Sequence, residues 1–447
     1  MILTLQSNAQ EEFPSFKLLR YNEDYSFLKT DTGSSWYKKM KFIDLSRKGN
    51  SYLSLGGEVR YQYFNITNED WGVAPKDRDG YLFSRFLAHT DFHAGNNFRL
   101  FAQLQGSMAN GKSSGTSPVD ENPLDLHQAF FDVKTNSSNA IIRFGRQELS
   151  YGSQRLVSVR ELPNNRQAFD GVKTIFSFGE YKLDAFYSLY VTAKKGIFDD
   201  LSNNGISLWG TYLVRNKVLF FKNIDVYYFG LRKKQASFND GDGKELRHSI
   251  GSRIWGNANN WKYDFEGVYQ FGIFQGKQIR AWTLSSNSSY KFNHAVLRPE
   301  LGLKTEAISG DKLQGDNTLQ TFNPLFPKGA YFGLAALIGP SNLIDIHPSL
   351  SLELVKDKLV WTSDYDAFWR YSNQDGIYAP NVSLIYPSGS VSEKFIGHQT
   401  ATDLTFTPND FLYFRGQFTW FKVGDFLKRL SPGKDIFFFG LTSTLKF

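Results

Sequence analysis

Between residues 53 and 63 every odd position is apolar, aromatic or glycine (Leu53, Leu55, Gly57, Val59, Tyr61, Tyr63), and the even positions include Ser54, Glu58, Arg60 and Gln62. A period of two sends alternate side chains to opposite faces of a β-strand, whereas an amphipathic helix would show a period of 3.6. The alternation returns at Trp261, Tyr263, Phe265, Gly267, Tyr269 and Phe271 against Lys262, Asp264, Glu266 and Gln270. It recurs where Leu297, Leu301 and Leu303 oppose Arg298, Glu300, Lys304 and Glu306, and again over residues 344–354 and 359–371. Many of these runs reach about ten residues, the length a membrane strand needs; strands in globular proteins average about five or six. In a β-sandwich the charged face would simply meet solvent. Run length therefore favours strands that cross a bilayer.

Eighteen strands are predicted, near 52–64, 81–94, 97–109, 124–134, 139–147, 167–178, 180–192, 204–214, 222–232, 246–256, 260–273, 276–290, 294–307, 344–355, 359–371, 396–407, 410–421 and 434–447. The stretch 331–338 is apolar but short, Ala/Leu-rich and flanked by Pro327 and Pro340, and is assigned to a loop. Closed barrels alternate short turns at one rim with longer loops at the other. The odd-to-even connections 65–80, 110–123, 148–166, 193–203, 233–245, 308–343, 372–395 and 422–433 read as long, and even-to-odd connections such as Gly179 and residues 408–409 as tight. A nineteenth strand would reverse this parity over the last third of the chain. The expected fold is all-β: a single transmembrane antiparallel β-barrel of about eighteen strands with long extracellular loops and short periplasmic turns.

Composition agrees with that fold. The 447 residues include 41 Phe, and 16% are aromatic, yet the mean hydropathy is slightly negative, as expected when lipid-facing and lumen-facing residues take turns. No run approaches the roughly 18 to 20 apolar residues of a membrane helix. With no cysteine there is no disulfide framework or thiolate metal site. The net charge of +7 favours anionic partners, but acidic and basic residues are interleaved and form no nucleic-acid stripe. Residues 1–10 read as the remnant of a signal peptide, 11–51 as a periplasmic N-terminal segment or plug, and 52–447 as the barrel.

The last segment carries Phe437, Phe439, Leu441, Ser443, Leu445 and Phe447 on one face, ending in an aromatic terminal residue. Between the fifth and sixth strands lies the densest arginine cluster, running from Gly145 through Arg146, Arg155, Arg160, Asn164, Asn165 and Arg166 to Phe169, Asp170, Gly171 and Val172. This segment resembles the alginate-export family of outer-membrane porins. So do Gly56-Gly57-Glu58-Val59-Arg60-Tyr61, Asn342-Leu343-Ile344-Asp345, Phe395-Ile396-Gly397-His398-Gln399 and Gly424-Asp425-Phe426-Leu427. The resemblance implies an eighteen-stranded barrel with a charged lumen in the outer membrane of a Gram-negative bacterium, set among lipid and lipopolysaccharide. It also implies that Phe447 serves as a signal to the barrel-assembly machinery. The family's dedicated alginate exporter carries a long periplasmic plug between strands sixteen and seventeen; Thr407-Pro408-Asn409-Asp410 allows only a tight turn.

Guanidinium groups suit uronate carboxylates because each forks two hydrogen bonds and keeps its charge. A pore must also release what it binds, so interspersed acids are useful. Inward parity selects Glu58, Arg60, Arg85, Asp91, Arg99, Arg143, Asp184, Arg253, Lys262, Glu266, Arg280, Arg298, Glu300, Lys304, Asp364, Asp366, Arg370, Asp403 and Arg415; the loop adds Arg146, Arg155, Arg160 and Arg166. Such rows could equally pair across neighbouring strands as polar filling. The expected function is passive transport of anionic saccharides or other small anionic solutes. The alternatives are a dedicated alginate-like exporter or a gated surface receptor.

No complete catalytic or cofactor site is legible. Gly111-Lys112-Ser113-Ser114-Gly115 matches G-x-S-x-G but sits in a polar loop. His89 and His93 lie about 13 Å apart on a strand, too far to share a metal. The acidic loop at residues 239–245 lacks a full calcium ligand set. Asp364 and Asp366 invite a glycosidase reading, but without a cleft they read as pore lining. No enzyme activity, metal or cofactor is expected.

Overall fold

The computed structural model describes residues 16–30, 33, 35–46, 50–76, 79–135 and 139–447, so the signal-peptide expectation for residues 1–10 lies outside the described residues. Eighteen long strands form one closed antiparallel barrel. They are β1 (Ser51–Thr67), β2 (Tyr81–Ala94), β3 (Phe98–Asn110), β4 (Asn122–Lys134), β5 (Ala140–Gln147), β6 (Phe169–Phe178), β7 (Tyr181–Thr192), β8 (Leu201–Asn216) and β9 (Asn223–Phe238). The second half comprises β10 (Gly241–Ala258), β11 (Trp261–Phe274), β12 (Lys277–Lys291), β13 (Glu300–Ile308), β14 (Leu343–Val355), β15 (Leu359–Arg370), β16 (Phe395–Asn409), β17 (Leu412–Val423) and β18 (Ile436–Lys446). Each strand pairs with the next, and β1 closes on β18 from Glu58↔Lys446 to Thr67↔Phe437. Closure leaves no unpaired edge, which is what lets β-structure sit in a medium without water. No described helix is long and apolar enough to cross a membrane.

Alternation decides which side chains face lipid. On β1 the even residues Ser54, Glu58, Arg60 and Gln62 are buried inward, while Leu55 and Tyr61 are exposed. On β18 Phe437, Phe439, Leu441 and Leu445 face out, and Phe438, Thr442 and Thr444 face in. Near the short-turn rim, outward rings stack between strands, as in Phe98–Phe131, Phe131–Phe144 and Phe406–Phe414. Aromatic girdles of this kind mark the bilayer interface.

The chain terminus completes the seam. Gly57 N–H donates to the Phe447 carbonyl at 2.8 Å, and Phe447 N–H donates back to the Gly57 carbonyl at 3.1 Å. A Cβ added to Gly57 would lie 2.4 Å from the Leu87 carbonyl oxygen and 2.6 Å from the Phe447 ring. Gly57→Val is therefore expected to destabilise closure by about 1–3 kcal/mol, as overpacking does elsewhere. The check is a lower temperature at which the compact band is lost in semi-native electrophoresis.

The strand boundaries depart most from the sequence reading at two places. The loop expected at 233–245 is instead a continuation of β9 and β10 into a tight hairpin at Asn239 and Asp240. Its inner face, Ala236 and Phe238, packs on Phe274, Ile279, Leu319 and Tyr378, so a segment that is polar in sequence still has one buried face. Strand β13 starts at Glu300 rather than 294, because Leu297 and Arg298 take left-handed backbone (φ 59° and 39°) and Pro299 cannot donate to the ladder. The stretch 331–338 lies in the connection between β13 and β14, as expected.

Candidate functional site

Two long connections fold into the barrel. The arginine loop (148–168) joins β5 to β6, and an apolar loop (309–342) joins β13 to β14. Leu156, Val157 and Leu149 from the first, with Phe322, Leu325, Phe326, Tyr331, Phe332 and Ile338 from the second, belong to one buried cluster with wall residues such as Phe169, Phe368 and Phe421. The loops also pair with each other. Ser158 N–H donates to Phe326 O (2.9 Å), Phe326 N–H to Leu156 O (2.8 Å) and Lys328 N–H to Gln154 O (3.0 Å).

Ion pairs and side-chain-to-backbone bonds pin this constriction to the wall. Arg155 bonds Glu266 of β11 at 3.1 Å and Glu306 of β13 at 3.0 Å, and also donates to the Tyr331 hydroxyl. Arg60 donates to the Glu161 carbonyl at 2.7 Å, and Arg85 bridges Glu58 at 2.6 Å and the Glu161 carboxylate. Burial raises the Glu161 carboxyl, but Arg85, Arg166 and Arg60 outweigh it and hold the group well below the usual range. Asn164 Nδ2 donates to the carbonyls of Ser84, Met108 and Asp120.

The remaining candidates divide by partner. Arg99 forks onto Asp91, Arg143 onto Asp132, Arg253 onto Asp264 and Arg415 onto Asp403, all across neighbouring strands. Asp184 holds Lys173 at 2.7 Å, and Lys262 holds Glu300 at 3.1 Å. Lys304 meets Glu306 at 3.2 Å and lies over the Tyr331 and Phe332 rings. Asp364 and Asp366 flank His347. Arg370 is fully buried and donates to the carbonyls of Asn373, Asp375, Val391 and Glu393, so it orders the loop between β15 and β16. Two residues depart from inward parity. Arg280 is exposed on the outer face beside buried Ile279 and Ala281; at the loop rim the inner face packs on the apolar loop and the outer face meets water. Arg298 sits in the short turn before β13, paired with Glu353 and Asp357.

Arg146, Arg160 and Arg166 line one cavity of about 100 Å³ together with His127, Tyr190 and Asp200. Arg146 forks onto Asp170, and Arg166 holds Glu148 at 2.9 Å. The Arg160 guanidinium has no side-chain or backbone acceptor among the described residues, and its backbone is left-handed (φ 55°). A second cavity of about 280 Å³ runs between the loops and the wall, lined by Glu58, Arg60, Glu161, Leu334, Arg415 and Lys446 among others.

The N-terminal segment was only loosely placed by sequence, and its contacts are specific. Helix α1 (Trp36–Lys41) is capped by Ser35, whose side chain accepts from Lys38 N–H. Arg20 donates to the carbonyls of Gly57 and Phe447, both at 2.9 Å, so it reads the seam. Tyr21 donates to Glu148 O at 2.8 Å and sits edge-on to Phe101 and Phe130, with Arg143 over its ring. Lys41 donates to Leu55 O at 2.9 Å; burial and the nearby Arg20 push its amine down to about 7. Sequence offered one signal for the folded-in loops: the apolar residues near 322–338 lie in no strand, so they must be buried elsewhere.

The comparisons agree with this architecture. The family model described as alginate export matches residues 51–435. Among solved structures, the barrel is similar to OccD3 (OpdP) of Pseudomonas aeruginosa, with TM-score 0.61 and 12% identity over 91% of this chain and 92% of that one. It is similar to a BenF-like porin of Pseudomonas fluorescens Pf-5, with TM-score 0.60 and 10% identity over 88% and 99%. It is also similar to OccK2 (OpdF) of Pseudomonas aeruginosa in complex with glucuronate, with TM-score 0.59 and 10% identity over 91% and 99%. No curated protein matches the chain by sequence. Family and fold are those of transport porins rather than enzymes. The chain belongs to the alginate-export family and is a porin-like β-barrel of the Gram-negative outer membrane.

Proposed function

We propose that this barrel is a passive channel for small anionic solutes, uronate-type saccharides foremost, with the arginine loop setting its charge preference. The observation that carries the reading is Arg160, whose guanidinium lacks an acceptor among the described residues in a cavity it shares with Arg146 and Arg166. A planar guanidinium without a partner is suited to forking onto a carboxylate in transit, and the acids beside its neighbours favour release. The glucuronate complex of OccK2 supports the same ligand chemistry. In this reading the N-terminal segment partly plugs the periplasmic mouth, and Phe447 is presented to the assembly machinery before the seam closes.

Planar-bilayer recordings test the proposal. Discrete channels with anion preference are expected, and Arg160→Ala should lower that preference about twofold or more without changing thermal stability. Equal selectivity in both proteins would remove the role given to Arg160. The apolar packing that joins both loops favours a second reading, a gated exporter or surface receptor, which electrically silent bilayers from correctly folded protein would support.

A further inference from the structure

Beneath the apolar loop, Asp345 and His347 project from the inner face of β14, and Asp366 projects beside them from β15. One ligand atom from each lies within 4.8 Å of the others. Asp345 and Asp366 are completely buried. Neither oxygen of either carboxylate accepts a hydrogen bond, although His347 Nδ1 stands 3.1 Å from Asp366 Oδ2. The other charged groups around Asp345 are Glu306 and Lys304. Lys304 is turned to Glu306, which Arg155 also holds, and among the described residues no cation forms an ion pair with Asp345. His347 is shared between Asp364 and Asp366. Two buried carboxylates with so little compensation are costly to keep charged unless a cation joins them.

A second acidic group shows the contrast. Asp125, Asp199 and Asp200 also cluster, but Arg146 and Asp200 N–H bond Asp125, while Lys194 N–H and Asn122 bond Asp200. Donors already satisfy Asp125 and Asp200 there, while Asp199 Oδ1 has no partner among the described residues.

We propose that Asp345, His347 and Asp366 form a site for one divalent transition-metal ion of the zinc type. One imidazole and two carboxylates suit such an ion better than calcium or magnesium, which take oxygen ligands in larger number. The ion ties β14 to β15 under Tyr331 and Phe332 and neutralises the wall on which that loop rests. The proposal does not depend on what the channel carries.

The test uses full-length protein refolded into detergent free of lipopolysaccharide, stripped with EDTA and titrated with Zn²⁺ against a colorimetric chelator. One equivalent should bind, and Co²⁺ in its place should give visible d–d absorption of a low-coordinate site. Asp345→Asn and His347→Gln should each weaken binding about 100-fold, and Asp125→Asn should leave it unchanged. Absence of saturable binding to the wild-type protein, or binding that survives both substitutions, overturns the proposal. Electrophoretic heat-modifiability confirms that each variant is folded. Should Asp345→Asn fail that check, His347→Gln decides alone, since His347 lies at the less buried edge of the site.

Discussion

Arg155→Ala should lower the unfolding free energy by about 3–5 kcal/mol and raise the conductance of the barrel severalfold. The first effect follows from what remains after truncation. Glu266 and Glu306 each lose the guanidinium that compensates them, and removing one member of a buried ion pair strands the other charge. Lys304 still reaches Glu306, and the Tyr227 hydroxyl still donates to Glu266 at 2.6 Å, so the loss is partial rather than total. The second effect follows because Arg155 ties the arginine loop to Tyr331 of the apolar loop as well as to the wall. Thermal melting and single-channel current measured on the same preparation test both. Unchanged melting with unchanged current would show that the apolar cluster alone holds the loops inside.

Channel current through the wild-type protein should be higher at pH 6 than at pH 9, and Lys41→Met should abolish that difference while lowering the current. Burial depresses the Lys41 amine to about 7 when the N-terminal segment is docked, from an ordinary value near 10.5 when it is released. A base whose docked value is depressed binds protons more readily in the released state. Docking is therefore strongest above about pH 10, weakens as pH falls towards 7, and reaches its full penalty below 7. Methionine keeps the unbranched chain among Phe16, Tyr25 and Tyr37 and carries no proton. Current that keeps its pH dependence in Lys41→Met would assign the effect to other groups or show that the segment does not occlude the mouth.

The lipid-facing half of the structure was legible in the sequence because the bilayer leaves little choice there. Leu55, Tyr61, Phe437 and Phe439 had to be apolar at every second position, and the eighteen strands follow from that constraint. The lumen was less legible because an inward residue can meet water, a partner strand or a folded-in loop, and alternation does not distinguish these. Phe238 and Ile279 lie inward and buried where the pattern suggested loop or lipid, since the apolar loop covers them. Arg280 reads like a lumen residue only if the inner face is assumed polar over its whole height. Likewise, the arginine run announced a charged loop, yet which guanidinium lacks an acceptor depends on where Asp170, Glu148 and Glu306 fall in space. His347 carried no sequence signal, because its companion Asp366 comes from a different strand.

The backbone pairing of residues 156–158 with 326 and of 154 with 328 has a consequence for descent. Each loop presents to the other the surface it folds against, so lengthening or recharging one alone would leave unpaired amides and a void in the interior. Within this lineage, changes of cargo should be inherited as matched exchanges of both segments, while the wall that carries them stays nearly constant in pattern.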